Sequence, residues 1–190
     1  MSVLTPKFRV SYPSVFKPRK NDLNGKEEFT LTCLFKKGED LSALKNEVQK
    51  VIEKKWGADE ALWPKGLKLP FRDQGEKAKI DPVTRRKILP MGHEEGAIFI
   101  NLKSTSRPGI VDQNRNDIIA ESDFYAGCFG RASVSCYAYD QKGNRGVAFG
   151  LINLQKLAEG EPLSGRPSPQ DDFTAVEVEG ADKSADGLFN

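Results

Sequence analysis

Histidine is nearly missing from this chain. Its 190 residues include one, His93, so a Ser-His-Asp or Cys-His catalytic pair would have to use that ring, and no nucleophile motif such as GxSxG is present. His93 with Glu94 and Glu95 lies in PMGHEEG; a single imidazole in a Gly-bounded turn is expected to be exposed rather than to hold a metal. Cysteine is scarce too. Cys33, Cys128 and Cys136 are odd in number and fit no CxxC spacing, which reads as buried thiols in a reducing compartment. No GxxxxGK[ST] loop occurs, and no GxGxxG follows a strand. The common enzyme signatures are therefore absent, and the chain is read as a non-enzyme without cofactor or metal. No apolar run approaches the ~18 residues of a membrane helix, and MSVLTPKFRV lacks the apolar core of a signal peptide. An intracellular protein is expected.

What is present is charge, unevenly distributed. The formal net charge is only +2. Residues 171–190 hold six acids and one base, a net of −5, which leaves +7 on residues 1–170. A basic body with an acidic tail suggests a polyanion-binding surface and a separate solvated segment. The linker GEPLSGRPSPQ (160–170) is rich in structure breakers. Beyond it, few large apolar residues stand against the ordering entropy, and a disordered tail is expected. The boundary is placed at 165: a folded domain over 1–165, and a linker and tail over 166–190.

Within the body, KFRVSY (7–12) alternates and predicts a first strand that Pro13 ends or kinks. EFTLTCLFK (28–36) predicts a second, with Phe29, Leu31, Cys33 and Phe35 on one face. Asp40 as N-cap, Leu44, Val48 and Ile52 at helical spacing, Lys54 and Lys55, then Gly57 predict one helix. Residues 58–95 are irregular and basic, the kind of long loop that is often functional. GAIFINLKS (96–104), RASVSCYAYD (131–140) and GVAFGLINLQ (146–155) predict further strands, the last two joined by a hairpin. About six strands and one helix favour a mainly β fold, a small closed barrel, with an open α+β sandwich as the alternative.

The strand RASVSCYAYD carries a small apolar set, Ala132, Val134, Cys136 and Ala138, suited to a barrel interior. That places Arg131, Tyr137 and Tyr139 outside. Strand 96–104 offers Phe99, Asn101 and Lys103 on its outer face, and strand 28–36 offers Thr30, Thr32 and Lys36. Aromatics among cations make a stacking surface with charge for phosphates, as non-specific single-strand binders use. The same rings would equally serve packing or a subunit contact. A structural or assembly protein is therefore the alternative reading. A nuclease using Asp112, Asp117 or Asp123 finds no support in their spacing.

The order of VSYPSVFKP, EFTLTCLF with the helix after it, LPFRDQG, FYAGCFGRASVSCYAYD and GVAFGLINLQKLAEGEPLSG resembles the single-stranded DNA-binding proteins of tailed bacteriophages. The resemblance spans most of the chain. It implies an OB-fold with an early inserted helix, a role in phage DNA replication, recombination or repair in the host cytoplasm, a homodimer, and replication-protein partners met through the tail. The family's tails often end on an aromatic after an acidic run, whereas this chain ends ADGLFN. On this reading Tyr137, Tyr139 and Phe99 stack bases, and Arg131, Lys103, Arg107, Lys36 and Arg9 meet phosphates. Tyr12 and Arg72 are added from the first strand and the long loop.

Overall fold

The computed structural model describes residues 2–22, 25–141 and 143–163; the 165 boundary and the acidic tail lie outside them. Among the described residues ten strands occur in chain order: β1 (Ser2–Leu4), β2 (Phe8–Lys20), β3 (Glu27–Leu34), β4 (Arg72–Asp73), β5 (Lys79–Ile80), β6 (Lys87–Ile88), β7 (Ile98–Ser104), β8 (Gly109–Val111), β9 (Phe129–Gln141) and β10 (Asn144–Ala158). The helix α1 (Ser42–Trp56) follows β3.

Five strands close the barrel. β2 pairs with β3, β3 with β7, β7 with β10, β10 with β9, and β9 returns to β2. All these pairs are antiparallel except β7–β10. That closed, mixed Greek-key ring is the OB-fold. Closure removes the free edges among these five strands. The inward set runs as the alternation predicts: Leu31 and Cys33, Ile100 and Leu102, Ala132 and Val134, and Val147, Phe149 and Leu151 are all buried. The small residues of β9 face Phe149 and Leu151 on β10, so large and small side chains fill the narrow interior together.

Helix α1 closes one side of this core through Leu44, Val48 and Ile52, each worth ~1.5–3 kcal/mol when fully buried. Its start differs slightly from expectation. Leu41 occupies the N-cap position with no side-chain bond, and Asp40, one residue earlier, accepts the Ser42 N–H at 2.9 Å. Lys54 and Lys55 end the helix, and Gly57 takes a φ of 95° that disfavours any other residue.

Pro13 does not end the first strand. The β2–β3 register shifts between Ser11 and Ser14 and again between Ser14 and Arg19. Pro13 and Pro18 fall within these irregular steps, where a missing N–H breaks no ladder bond. Tyr12 at the first of them adopts φ 46°.

Candidate functional site

One row of outward residues can be followed around the barrel by its register: Ser14 on β2, Thr30 on β3, Lys103 on β7, Gly150 on β10 and Ser135 on β9. Tyr137 and Tyr139 continue this face on β9, where Tyr137 pairs with Ala148 and Tyr139 with Gly146. Glycine shapes the surface beneath them. A Cβ on Gly146 would lie 2.5 Å from the Tyr139 hydroxyl, and one on Gly150 would lie 3.6 Å from Cε1 of Tyr137. Both rings therefore rest against nearly bare β10 backbone. Tyr137 is 38% exposed and Tyr139 half-buried.

Lys103 and Asn101 are exposed beside them. Lys103 Nζ lies 3.8 Å from the carboxylate of buried Glu28, and Thr32 donates to the Asn101 side-chain oxygen at 2.8 Å. Burial, then the charges of Glu28 and Tyr139, push the Tyr137 phenol above its usual ionisation. It is a neutral, partly covered ring at physiological pH.

Phe99 requires a correction. It has the outward phase expected, yet its exposure is 0%. The irregular segment covers it: β4 pairs with β7, Arg72 opposite Phe99. The Arg72 guanidinium and the Lys77 ammonium lie 5.1 and 5.2 Å from the Phe99 ring centroid. Buried Gln74 fixes this cover, donating to the carbonyls of Phe35 and Ile98 and accepting the Glu94 N–H. Alternation along a strand sets the phase of a residue; a cover supplied from elsewhere in the chain leaves no mark on that pattern. Phe99 is a floor for cations here, not an open stacking face. Arg72 itself is exposed and also bonds Glu76.

The other expected residues are dispersed. Arg107 is exposed after β7, its guanidinium 5.8 Å from the Phe16 ring. Arg131 shares the outward phase of Tyr137 but stands six residues, ~20 Å, along the strand, where it donates to Gln155. Arg9 is drawn into the structure, donating to the backbone carbonyls of Gly127 and Glu161. Lys36 is exposed just beyond β3 and lines a cleft with Lys7, Arg9 and Phe129. Tyr12 is 56% exposed, its ring centroid 6.4 Å from that of His93. The structure thus brings Tyr137, Tyr139 and Lys103 onto one face, with Arg72 at one margin and Arg107 past the end of β7.

Two features escaped the sequence reading. Phe129, beneath the cations of Lys7 and Arg9, is separated in sequence from both and carries no local pattern. Lys77 belongs to the basic segment noted from composition, but its place over Phe99 depends on the β4–β7 pairing. Among the described residues, no group of three or more His, Cys, Asp or Glu side chains could hold a metal, and no helix is long and apolar enough to cross a membrane.

Comparison with known proteins gives a consistent picture. The family model of the Enterobacter phage Enc34 single-stranded DNA-binding protein matches residues 1–185. The putative protein p50 of Acyrthosiphon pisum secondary endosymbiont phage 1 is 24% identical over 173 residues, which cover 87% of this chain and 88% of that one. The solved structure of the Enc34 protein in complex with single-stranded DNA is similar with a TM-score of 0.64 at 18% identity, covering 85% of this chain and 88% of the other. The single-stranded DNA-binding protein gp2.5 of bacteriophage T7 gives 0.60 at 12% identity, over 87% and 96%.

Proposed function

The chain belongs to the family of phage single-stranded DNA-binding proteins represented by that of Enterobacter phage Enc34, and on that premise we propose that it coats exposed single strands, without sequence preference, during phage DNA replication, recombination or repair inside the host cell. The observation that carries this reading is the outer face on which Tyr137 and Tyr139 lie over glycine backbone beside Lys103. Every base has a π-face, so tyrosine rings bind a strand without reading its sequence. Lys103, with Arg107, Arg72 and Lys77 around it, supplies phosphate contacts. The role proposed for this face is binding.

The domain boundary and the acidic tail are proposed from the sequence, and the replication partners and the homodimer from the family resemblance. Residues 1–165 form the binding domain, and 166–190 a linker and acidic tail that competes for the basic face and meets replication proteins. The working unit is a homodimer.

A titration of fluorescent oligo-dT tests the reading. Four phosphate contacts on this face alone would give a log–log salt slope of about −3, so raising salt from about 50 to about 200 mM should weaken binding at least about 50-fold. Absence of salt-dependent affinity would overturn it and favour a surface used only for assembly.

A further inference from the structure

Between the segments that cover Phe99 and meet Tyr12, the chain forms a small separate hairpin, β5–β6, paired only with itself. Its composition is unusual for a surface excursion. Ile80, Val83, Ile88 and Met91 are exposed by 65, 87, 53 and 54%. Such clustering of open aliphatic side chains marks an interaction surface rather than ordinary scatter.

Interleaved with them are Lys79, Arg85, Arg86 and Lys87, all exposed. Among the described residues none of these four forms an ion pair, although six ion pairs occur elsewhere in the body. The one acid of the hairpin, Asp81, is occupied: its carboxylate accepts the N–H groups of Val83 and Thr84, both at 2.8 Å. Those bonds, with Arg85 N–H to the Asp81 carbonyl and Asp81 N–H to the Arg86 carbonyl at 2.9 Å each, build the turn before anything binds. A preformed turn lowers the ordering cost of an encounter.

The roots of the hairpin locate it. On one side Lys77 lies over Phe99, beside Asn101 on β7. On the other, His93 meets Tyr12 on β2. The hairpin therefore rises from the margin of the outer face that holds Tyr137 and Lys103.

We propose that the β5–β6 hairpin is a second contact for the same single strand, with its cations on phosphates and its aliphatic side chains against unstacked bases. This rests on the single-strand-binding reading above. The chemistry selects the partner. A polyanion answers four unpaired cations, and exposed apolar base faces answer Ile80, Val83 and Ile88. A duplex offers the first but keeps its base faces stacked inside, so the aliphatic side chains would gain little from it.

The test uses the full chain and two sets of substitutions, all at exposed positions. In the first, Lys79→Gln, Arg85→Asn, Arg86→Gln and Lys87→Gln are combined; asparagine is chosen at 85 because that residue has φ 57° and asparagine tolerates it. The oligo-dT salt slope should become shallower by up to about 3, and the occluded length per protein should shorten. In the second, Ile80→Ser, Val83→Ser and Ile88→Ser should weaken oligo-dT binding several-fold at an unchanged salt slope, with no loss on duplex of equal length. If both variants bind oligo-dT as the parent does, with the same slope and occluded length, the hairpin proposal falls while the tyrosine face stands. If the parent itself shows no oligo-dT affinity, the reading beneath it falls as well. Equal losses on single strand and duplex in the serine variant would overturn the assignment of the aliphatic side chains to bases.

Discussion

Removing the ring of Tyr137 is the most direct trial of the stacking face. One side of that ring contacts the β10 backbone at Gly150, and 38% of the residue is open. Stacking one base is worth ~1–3 kcal/mol. More than half of Tyr137 is already covered, so the lower part of that range applies, ~1–2 kcal/mol. Tyr137→Ala should then weaken oligo-dT binding roughly 5- to 30-fold. Tyr137→Phe keeps the face and should stay within about twofold of the parent. Neither should alter the salt slope, since burial and the nearby Glu28 keep the phenol neutral and no cation is lost. Fluorescence anisotropy at fixed salt reads the affinity, and a thermal melt of each variant separates lost binding from lost fold. An intact Tyr137→Ala variant with unchanged Kd would refute the stacking role and return the ring to packing.

Gly146→Ala places a Cβ 2.5 Å from both the Lys68 carbonyl and the Tyr139 hydroxyl; the Lys68 carbonyl is bonded to Val147 and yields little, so stability should fall by ~1–3 kcal/mol, read as a lower denaturant midpoint. An unchanged midpoint would mean that Lys68 and Tyr139 are not seated as described. The thiols give a pH signature. Burial raises the ionisation of Cys33 well above the usual 9.0, and burial then Glu47 raise that of Cys136 to about 11. Raised values in the folded state add stability that is whole below about pH 9 and lost as pH climbs toward 11. The melting temperature should fall over that window, and less steeply in Cys136→Ala; a flat profile would contradict the burial of these groups. Deleting 171–190 removes six acids and one base, and oligo-dT binding should tighten, most at low salt; unchanged or weaker binding would count against competition by the tail.

The barrel was largely legible because its strands bury one face and alternate. RASVSCYAYD yields β9, with Ala132 and Val134 of its inward set buried and Cys136 and Ala138 half-buried, and EFTLTCLF yields β3, because packing Val134 or Leu31 inward leaves no other register. The helix was legible from its spacing and its basic end. What could not be read was placement across the sequence. β1 has three residues and owes its existence to pairing with Ser133–Ser135; no local pattern announces it. β2 runs past Pro13 because a bulge absorbs the proline. The same limit governs the site. Tyr137, Tyr139 and Lys103 could be assigned to one outer face because each lies on a clearly alternating strand. Arg9 and Arg131 sit on such strands too, but their guanidiniums are held by carbonyls of Gly127 and Glu161 and by Gln155, partners 24 to 152 residues away.

The long basic segment resolves what covers the outer face. Ser11, Thr32, Leu34 and Phe99 all have outward phase, and all are buried. Around Phe99 the cover is the chain's own 72–77, pinned by Gln74. Farther along the same face, Tyr137, Asn101 and Lys103 remain exposed. The division has an energetic logic. Phe99 without a cover would present a large apolar ring to water, whereas Arg72 and Lys77 laid on it bury the ring and keep their charges at the surface. The segment thus converts an aromatic floor into a cationic margin at one end. Beside it on β10, glycines at 146 and 150 leave room for aromatic rings on the backbone itself. Duplex DNA can use only the cations, since its base faces are stacked away, so the preference for single strands should shrink as the rings are removed.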